Sequence, residues 1–156
     1  MPRFLKLVAI LMLFAGSAQA LEPRAGWVIV QSDKSFEDLV KAVNAVVEEA
    51  PIRIVTQASA SAGAKMQGID IPGNRVFGLY RNDYARRMLD ASLAAGIEAP
   101  IRLYATENAD GTSTLAYKTP SHVFAPYFDE GGEALRALAA ELDGVFDSVA
   151  RAAVAH

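Results

Sequence analysis

Two stretches of alternating apolar and polar residues, 101–107 and 112–119, flank the dipeptide Asp110-Gly111. Alternation of this kind is typical of β-strands, because successive side chains point to opposite faces of a sheet. Aspartate followed by glycine favours a tight turn, since glycine readily adopts the left-handed backbone conformation that such turns require. The sequence therefore predicts an antiparallel β-hairpin, and the hairpin determines which side chains share a face.

The register of this hairpin depends on the length of its loop. A two-residue loop would place Leu103 opposite Lys118 and would mix charge with apolar side chains. A three-residue loop from Ala109, with Gly111 in the left-handed bulge position, instead places Leu103 opposite Tyr117. Burial of one face selects the second register, because a slip of one residue would turn every side chain over. The apolar face then comprises Ile101, Leu103, Ala105, Leu115 and Tyr117.

The opposite face of the predicted hairpin is polar and carries two cations. It comprises Arg102, Tyr104, Thr106, Thr114, Ala116 and Lys118. In this register Arg102 lies opposite Lys118, and directly opposed like charges are unfavourable. A carboxylate from elsewhere in the chain, a bound anion or water would have to offset their repulsion.

Periodicities along the rest of the chain predict the element order β-α-β-β-α-β-β-α. The predicted strands are 26–31, 52–57, 75–81, 101–107 and 112–119. The predicted helices are 35–50, 83–95 and a C-terminal amphipathic segment, with a short helix at most within 58–74. This order is typical of an α+β fold. We expect one two-layer domain over 21–156, with a mostly antiparallel five-stranded sheet and helices on one face.

The apolar run Val76–Tyr80 ends abruptly in Arg81-Asn82-Asp83, after which a helical pattern begins. Asparagine and aspartate are preferred at helix N-termini, because their side-chain oxygens accept hydrogen bonds from free amide groups. Asn82 and Asp83 are therefore predicted chiefly to cap the helix. A second interpretation is that this polar loop lines a binding cleft, to which Arg81 adds positive charge.

The first twenty residues have the layout of a bacterial secretory signal peptide. Basic Arg3 and Lys6 precede an unbroken apolar run, 7–14, and small residues lead to a predicted cleavage after Ala20. The apolar run is far shorter than the roughly 20 residues that span a bilayer, so we expect cleavage rather than anchoring. The mature protein is predicted to be periplasmic or secreted, with no membrane association.

Composition narrows the classes of partner and of chemistry. Loss of Arg3 and Lys6 would leave 13 of the 15 basic residues against 18 acidic ones, a net charge of −5. This balance argues against a nucleic-acid partner, which would require a basic surface. The chain has no cysteine, which excludes disulfides, thiol catalysis and covalent haem attachment. No Gly-x-Ser-x-Gly segment of a serine hydrolase occurs either.

The two histidines, His122 and His156, are too few for a histidine-rich metal site, and no cofactor is predicted. His122 lies in the first turn of a predicted helix, where a surface position is expected. A non-covalent haem with His122 as its axial ligand stays an alternative. In that alternative Phe124, Tyr127 or Phe128 would line an apolar pocket.

Residues 76–121, VFGLYRNDYARRMLDASLAAGIEAPIRLYATENADGTSTLAYKTPS, resemble the core of the DUF302 family, whose members are domains of unknown function. The positions that match the family pattern are Asn82, Pro100, Asp110-Gly111 and Pro120. The resemblance implies a compact α+β domain that is often exported by bacteria and often paired, so a homodimer is a further expectation. It implies no agreed reaction.

Two residues depart from that family pattern. Asp83 follows Asn82 where the family usually has proline, which makes the strand-to-helix junction less rigid here. Thr119 precedes Pro120 where the family commonly has aspartate. Any site that used this aspartate would therefore be altered in this chain.

These observations favour an exported binding module over an enzyme, because the sequence contains no recognised catalytic arrangement. The expected partner is a small anionic molecule or a periplasmic protein. The candidate ligand-binding residues are Arg81, Asn82, Asp83, Arg102, Tyr104 and Lys118. The alternatives are a hydrolase-like enzyme with its site at the Arg81-Asn82-Asp83 junction, or the haem protein centred on His122.

Overall fold

The computed structural model describes residues 21–155. The predicted signal peptide, residues 1–20, and His156 lie outside the described residues. The strands are β1 (Trp27–Ser32), β2 (Arg53–Ala58), β3 (Asn74–Tyr80), β4 (Ile101–Glu107) and β5 (Ser113–Lys118). The helices are α1 (Phe36–Glu49), α2 (Ala60–Met66), α3 (Asn82–Ala91), α4 (Pro120–Phe124) and α5 (Phe128–Ala155). Gly132, with a φ of 57°, interrupts α5 near its start.

The five strands form one sheet in the order β1-β5-β4-β3-β2. Every neighbouring pair in this sheet is antiparallel, so the predicted antiparallel sheet is confirmed. The first strand of the chain pairs with the last one, and Trp27 lies opposite Lys118. The sheet therefore joins strands that are far apart in the chain, since Trp27 and Lys118 are partners.

The β4–β5 hairpin has the predicted three-residue register. Leu103 lies opposite Tyr117, and Ala105 lies opposite Leu115. The N–H of Asn108 donates to the carbonyl of Thr112 at 2.9 Å and closes the loop. Gly111 has a φ of 82°, the left-handed conformation that residues with a side chain rarely adopt. Local turn chemistry and the burial of one face thus select the same register.

The long helices cover one face of the sheet, which confirms the predicted α+β layers. Phe77, Leu103 and Leu115 point from the sheet into this layer and are fully buried. Leu39 of α1 and Phe146 of α5 pack over them and are also fully buried. Burial of a leucine or phenylalanine side chain stabilises a fold by about 1.5–3 kcal/mol relative to its exposure. The stability of the domain therefore comes chiefly from this side of the sheet.

Two helix starts are capped by side-chain hydroxyl groups. The side chain of Ser35 accepts a hydrogen bond from the N–H of Asp38 at 3.2 Å and begins α1. Thr119 accepts from the N–H of His122 at 3.2 Å and begins α4, with Pro120 at the first helical position. Each cap satisfies an amide that has no partner within the helix.

The predicted end of α3 at Ala95 is wrong, because the helix ends at Ala91. Ser92 leaves the helical conformation, with φ −152° and ψ 115°. Its hydroxyl donates to Glu130 at 2.8 Å and accepts from the N–H of Ala95 at 3.2 Å. The chain then makes a separate 3-10 turn, Ala94–Glu98, that leads into β4. Among the described helices, none is both long and apolar enough to cross a membrane.

Candidate ligand-binding groove

The face of the sheet opposite the long helices carries the predicted cations. Leu103 and Tyr117 are opposed in the register, so the preceding Arg102 and the following Lys118 fall opposite each other on the other face. Both side chains are exposed, and both line the same depression. The prediction that Arg102 and Lys118 share an uncovered face is confirmed.

This depression is a groove with a volume of about 590 Å³. It lies across the face of the sheet that the long helices leave uncovered, which we call the open face. Small-molecule sites in proteins usually have volumes of about 300–1,000 Å³. Aromatic side chains and cations form the walls of the groove, and small apolar side chains form its centre. The residues that line it include Trp27, Val76, Glu98, Arg102, Tyr104, Ala116 and Lys118.

Two small residues lie near the centre of the open face. Ala116 lies opposite Tyr104 and is fully buried between larger neighbours. Gly78 lies opposite Arg102, and a Cβ at this glycine would overlap the hydroxyl of Thr56. Ala116 lines the groove, whereas Thr56 and Pro100 occupy the space above Gly78.

The cations of the groove have no carboxylate partner among the described residues. The ion pairs within residues 21–155 are Lys41–Asp38, Arg81–Asp83, Arg87–Glu141 and Arg151–Asp147. Neither Arg102 nor Lys118 takes part in them. The sequence offered an internal carboxylate, a bound anion or water as ways to offset the repulsion between Arg102 and Lys118. Within the described part of the chain, no carboxylate forms an ion pair with either residue, so water or a bound anion is left.

The ring of Trp27 lies near two cations, Lys118 of the groove and Arg24 beside it. The ammonium of Lys118 lies 5.8 Å from the centre of the Trp27 ring, and the guanidinium of Arg24 lies 5.4 Å from it. Cations within about 6 Å of an aromatic ring are attracted to its face. The indole therefore holds positive charge beside the groove without neutralising it.

Glu98 is an acidic side chain of the groove that the sequence did not indicate. It ends the 3-10 turn before β4 and is partly buried. The hydroxyl of Tyr127 donates to its Oε1 at 2.9 Å, and this hydrogen bond raises the pKa of Tyr127. Trp27 and Arg24 were missed for a different reason, because the hairpin pattern does not say which strand pairs with β5.

The Arg81-Asn82-Asp83 junction differs from its prediction. Neither Asn82 nor Asp83 caps α3, because the N-cap position is Arg81 and no side chain accepts a capping hydrogen bond there. The Nε and Nη2 of Arg81 instead donate to the two carboxylate oxygens of Asp83, at 2.5 and 2.6 Å. Such a two-fold ionic contact is stronger than a neutral cap. It lowers the pKa of the Asp83 carboxyl.

The remaining interactions of Arg81 are also internal. Its Nη1 donates to the carbonyl of Pro51 at 2.8 Å, and its guanidinium lies 3.8 Å from the centre of the Tyr84 ring. The cavity beside this residue has a volume of only about 30 Å³ and a mainly apolar lining. Arg81, Asn82 and Asp83 do not line the groove, so the structure does not bring the predicted site residues into one place.

His122 lies exposed in the first turn of α4. Its ring covers Gly26, where a Cβ would overlap the imidazole. Phe124 is buried in the core, and Tyr127 and Phe128 pack against the core. The haem alternative required these aromatic side chains to line a pocket, whereas in the structure they contribute to the packing of the core. Within residues 21–155, no group of three or more histidine, aspartate or glutamate side chains is placed to hold a metal ion.

The profile of the family described as "Domain of unknown function DUF302" matches residues 28–151, which is most of the chain. The chain belongs to the DUF302 family. A crystal structure of an uncharacterized conserved DUF302 protein from Bacillus stearothermophilus has a similar fold, with a TM-score of 0.72. The match covers 83% of this DUF302 chain and 99% of the other, at 14% sequence identity, so it shows the fold alone. No curated protein matches the chain.

Proposed function

We propose that this DUF302 protein binds a small organic anion in the groove on the open face of its sheet. The observation that supports the proposal is the opposition of Arg102 and Lys118 without an internal carboxylate partner. A bound carboxylate or phosphate would offset their repulsion. Guanidinium groups suit this task because their planar donors match the two oxygens of such anions.

The walls of the groove favour a ligand with an apolar or aromatic part. Trp27 and Tyr104 offer aromatic surface, while Val76 offers apolar surface. Binding sites for small molecules usually combine such surfaces with a few polar groups that fix the orientation of the ligand. The proposed ligand therefore has an anionic head and an apolar body.

The Arg81-Asn82-Asp83 junction, the candidate site for hydrolysis, has neither a free charged group nor space for a substrate, which favours a binding function. Arg81 and Asp83 bind each other, and the adjacent cavity is too small for a substrate beyond a water-sized molecule. If the signal peptide is cleaved as predicted, the ligand is a component of the periplasm or of the external medium. The hydrolase and haem alternatives have no comparable observation in their favour.

A thermal-shift screen of the purified protein with organic anions, such as benzoate, phenylphosphonate and citrate, tests the proposal. Isothermal titration calorimetry then gives the dissociation constant of each anion that shifts the melting temperature. Arg102→Ala is expected to weaken binding by about tenfold or more, since hydrogen bonds to charged groups contribute about 1.5–3 kcal/mol. Lys118→Ala is expected to act in the same direction.

The matched control is Arg86→Ala, which removes the same charge from an exposed position on α3. Equal effects of Arg86→Ala and Arg102→Ala would show that the response is only long-range electrostatics. An absence of any anion-specific shift would contradict the proposal. Native mass spectrometry of the same samples reports stoichiometry, and a dimer lost on Arg102→Ala would assign this face to a second copy of the chain.

A further inference from the structure

We infer that the ligand of the groove is a zwitterion, which presents an ammonium group to Glu98 and an acidic group to Arg102 and Lys118. This inference rests on the proposed function and names its ligand class. Among the described residues that line the groove, Glu98 alone carries a carboxylate. A ligand with only negative charge would meet repulsion from this carboxylate, and a ligand with only positive charge would meet repulsion from the cations.

The carboxylate of Glu98 is held in place but is only partly engaged. Its Oε1 accepts the hydrogen bond from Tyr127 at 2.9 Å. Within residues 21–155, no nitrogen of a lysine, arginine or histidine lies within 4.0 Å of its oxygens. A carboxylate can accept several hydrogen bonds, so Glu98 retains acceptor capacity for a ligand. A group fixed in this way binds with a smaller loss of side-chain freedom.

The spacing of the opposite charges limits the size of the ligand. Glu98 and Arg102 both line a second depression of about 300 Å³ that adjoins the groove. Arg102 lies four positions after Glu98 in the chain, so their Cα atoms are at most about 14 Å apart. Their charged groups are nevertheless too far apart to form an ion pair. The depression that both side chains line is large enough for a free amino acid or a dipeptide whose ammonium faces Glu98 and whose carboxylate faces Arg102.

The test compares ligands that differ only in the ammonium group. L-phenylalanine and L-alanyl-L-phenylalanine carry both charges, and their N-acetyl derivatives keep the carboxylate and the ring but lose the positive charge. Calorimetry is expected to show at least one zwitterion binding about tenfold or more tighter than its N-acetyl derivative. Glu98→Gln should remove this preference, while Glu133→Gln, an exposed glutamate on α5, should preserve it.

Retained binding of the N-acetyl derivative by Glu98→Gln shows that this variant is folded. Tyr127→Phe supplies a second readout, because it removes the hydrogen bond that positions the carboxylate and should reduce the preference for the zwitterion by a smaller factor. Preferential binding of the N-acetyl derivatives, strengthened by Glu98→Gln, would overturn the inference and leave anion binding intact. Binding of none of these four probes would also overturn it, and the proposed function would then be judged on the simple anions.

Discussion

The two faces of the sheet use adjacent residues of the same strand for different purposes. Leu103 of β4 is fully buried beneath the long helices, while its neighbour Arg102 is exposed on the other face. The first face is apolar and closely packed. The second places cations opposite each other and leaves a groove of about 590 Å³. A face that the long helices leave uncovered, and on which like charges are opposed, is where a binding site is expected.

Leu103→Ala tests the stabilising face and should have the largest effect. Removal of a buried leucine leaves a cavity, and such substitutions lower the free energy of unfolding by about 2–5 kcal/mol. Chemical denaturation followed by circular dichroism measures the loss. A cost below about 1 kcal/mol, the usual central value for a point mutation, would contradict the view that this face holds the domain together.

Gly78→Ala tests whether a substitution on the open face can also lower the free energy of unfolding. An added Cβ would overlap the Thr56 hydroxyl and would lie 2.8 Å from Cγ of Pro100. Overpacking of this kind costs about 1–3 kcal/mol. Gly63→Ala on α2 is the control, because a Cβ there meets nothing and alanine favours a helix. A neutral Gly78→Ala would mean that Thr56 and Pro100 pack over this glycine less tightly than the structure indicates.

Tyr117→Phe tests whether the buried face makes the free energy of unfolding depend on alkaline pH. Burial, aided by the nearby carboxylates of Asp147 and Asp143, raises the pKa of Tyr117 to about 12 from its ordinary value of 10.0. Above pH 10 the unfolded chain loses the phenolic proton first, so this stabilising contribution is present below pH 10 and is lost progressively toward pH 12.

The free energy of unfolding, measured between pH 9 and 12, should therefore decline less steeply in Tyr117→Phe than in the unchanged protein. Tyr104→Phe, on the open face, retains Tyr117 and should retain the full decline. Identical slopes for Tyr117→Phe and the unchanged protein would show that the Tyr117 ring is not buried in solution.

Arg102→Ala should have the smallest effect on stability, within about 0.5 kcal/mol, because exposed residues without fixed partners contribute little. Arg81→Ala is the instructive comparison. It removes the hydrogen bonds to Asp83 and Pro51 and should lower the melting temperature more. Thermal unfolding of both variants measures the difference. A larger loss for Arg102→Ala would reverse the assignment of these two arginines.

The features that the sequence predicted correctly depend on local patterns. The alternation in β4 and β5, with Gly111 at the turn, is sufficient to place Arg102 and Lys118 on one face. The capping prediction failed for Asp83, because the side chain of Arg81 competes for its carboxylate and no propensity scale describes that competition. Local chemistry predicts which residues form an element more reliably than it predicts which side chains they bind.

The groove itself was only half predictable. Trp27 enters it through the pairing of β1 with β5, a long-range contact that strand signals alone do not specify. Glu98 lines the groove from the 3-10 turn Ala94–Glu98. The sequence predicted the last turn of a helix and then a loop for these residues. Its hydrogen bond with Tyr127 depends on how the C-terminal segment packs over that turn.

The pairing of the first strand with the last has a consequence for biogenesis. As the chain emerges from a ribosome or a translocation channel, Trp27 appears early and has no neighbouring strand until β5 follows. Contacts between residues so distant in sequence form slowly, because a long loop must close first. A nascent or truncated chain that lacks β5 has no complete groove, so the proposed ligand binding would require that β5 has been made and has paired with β1.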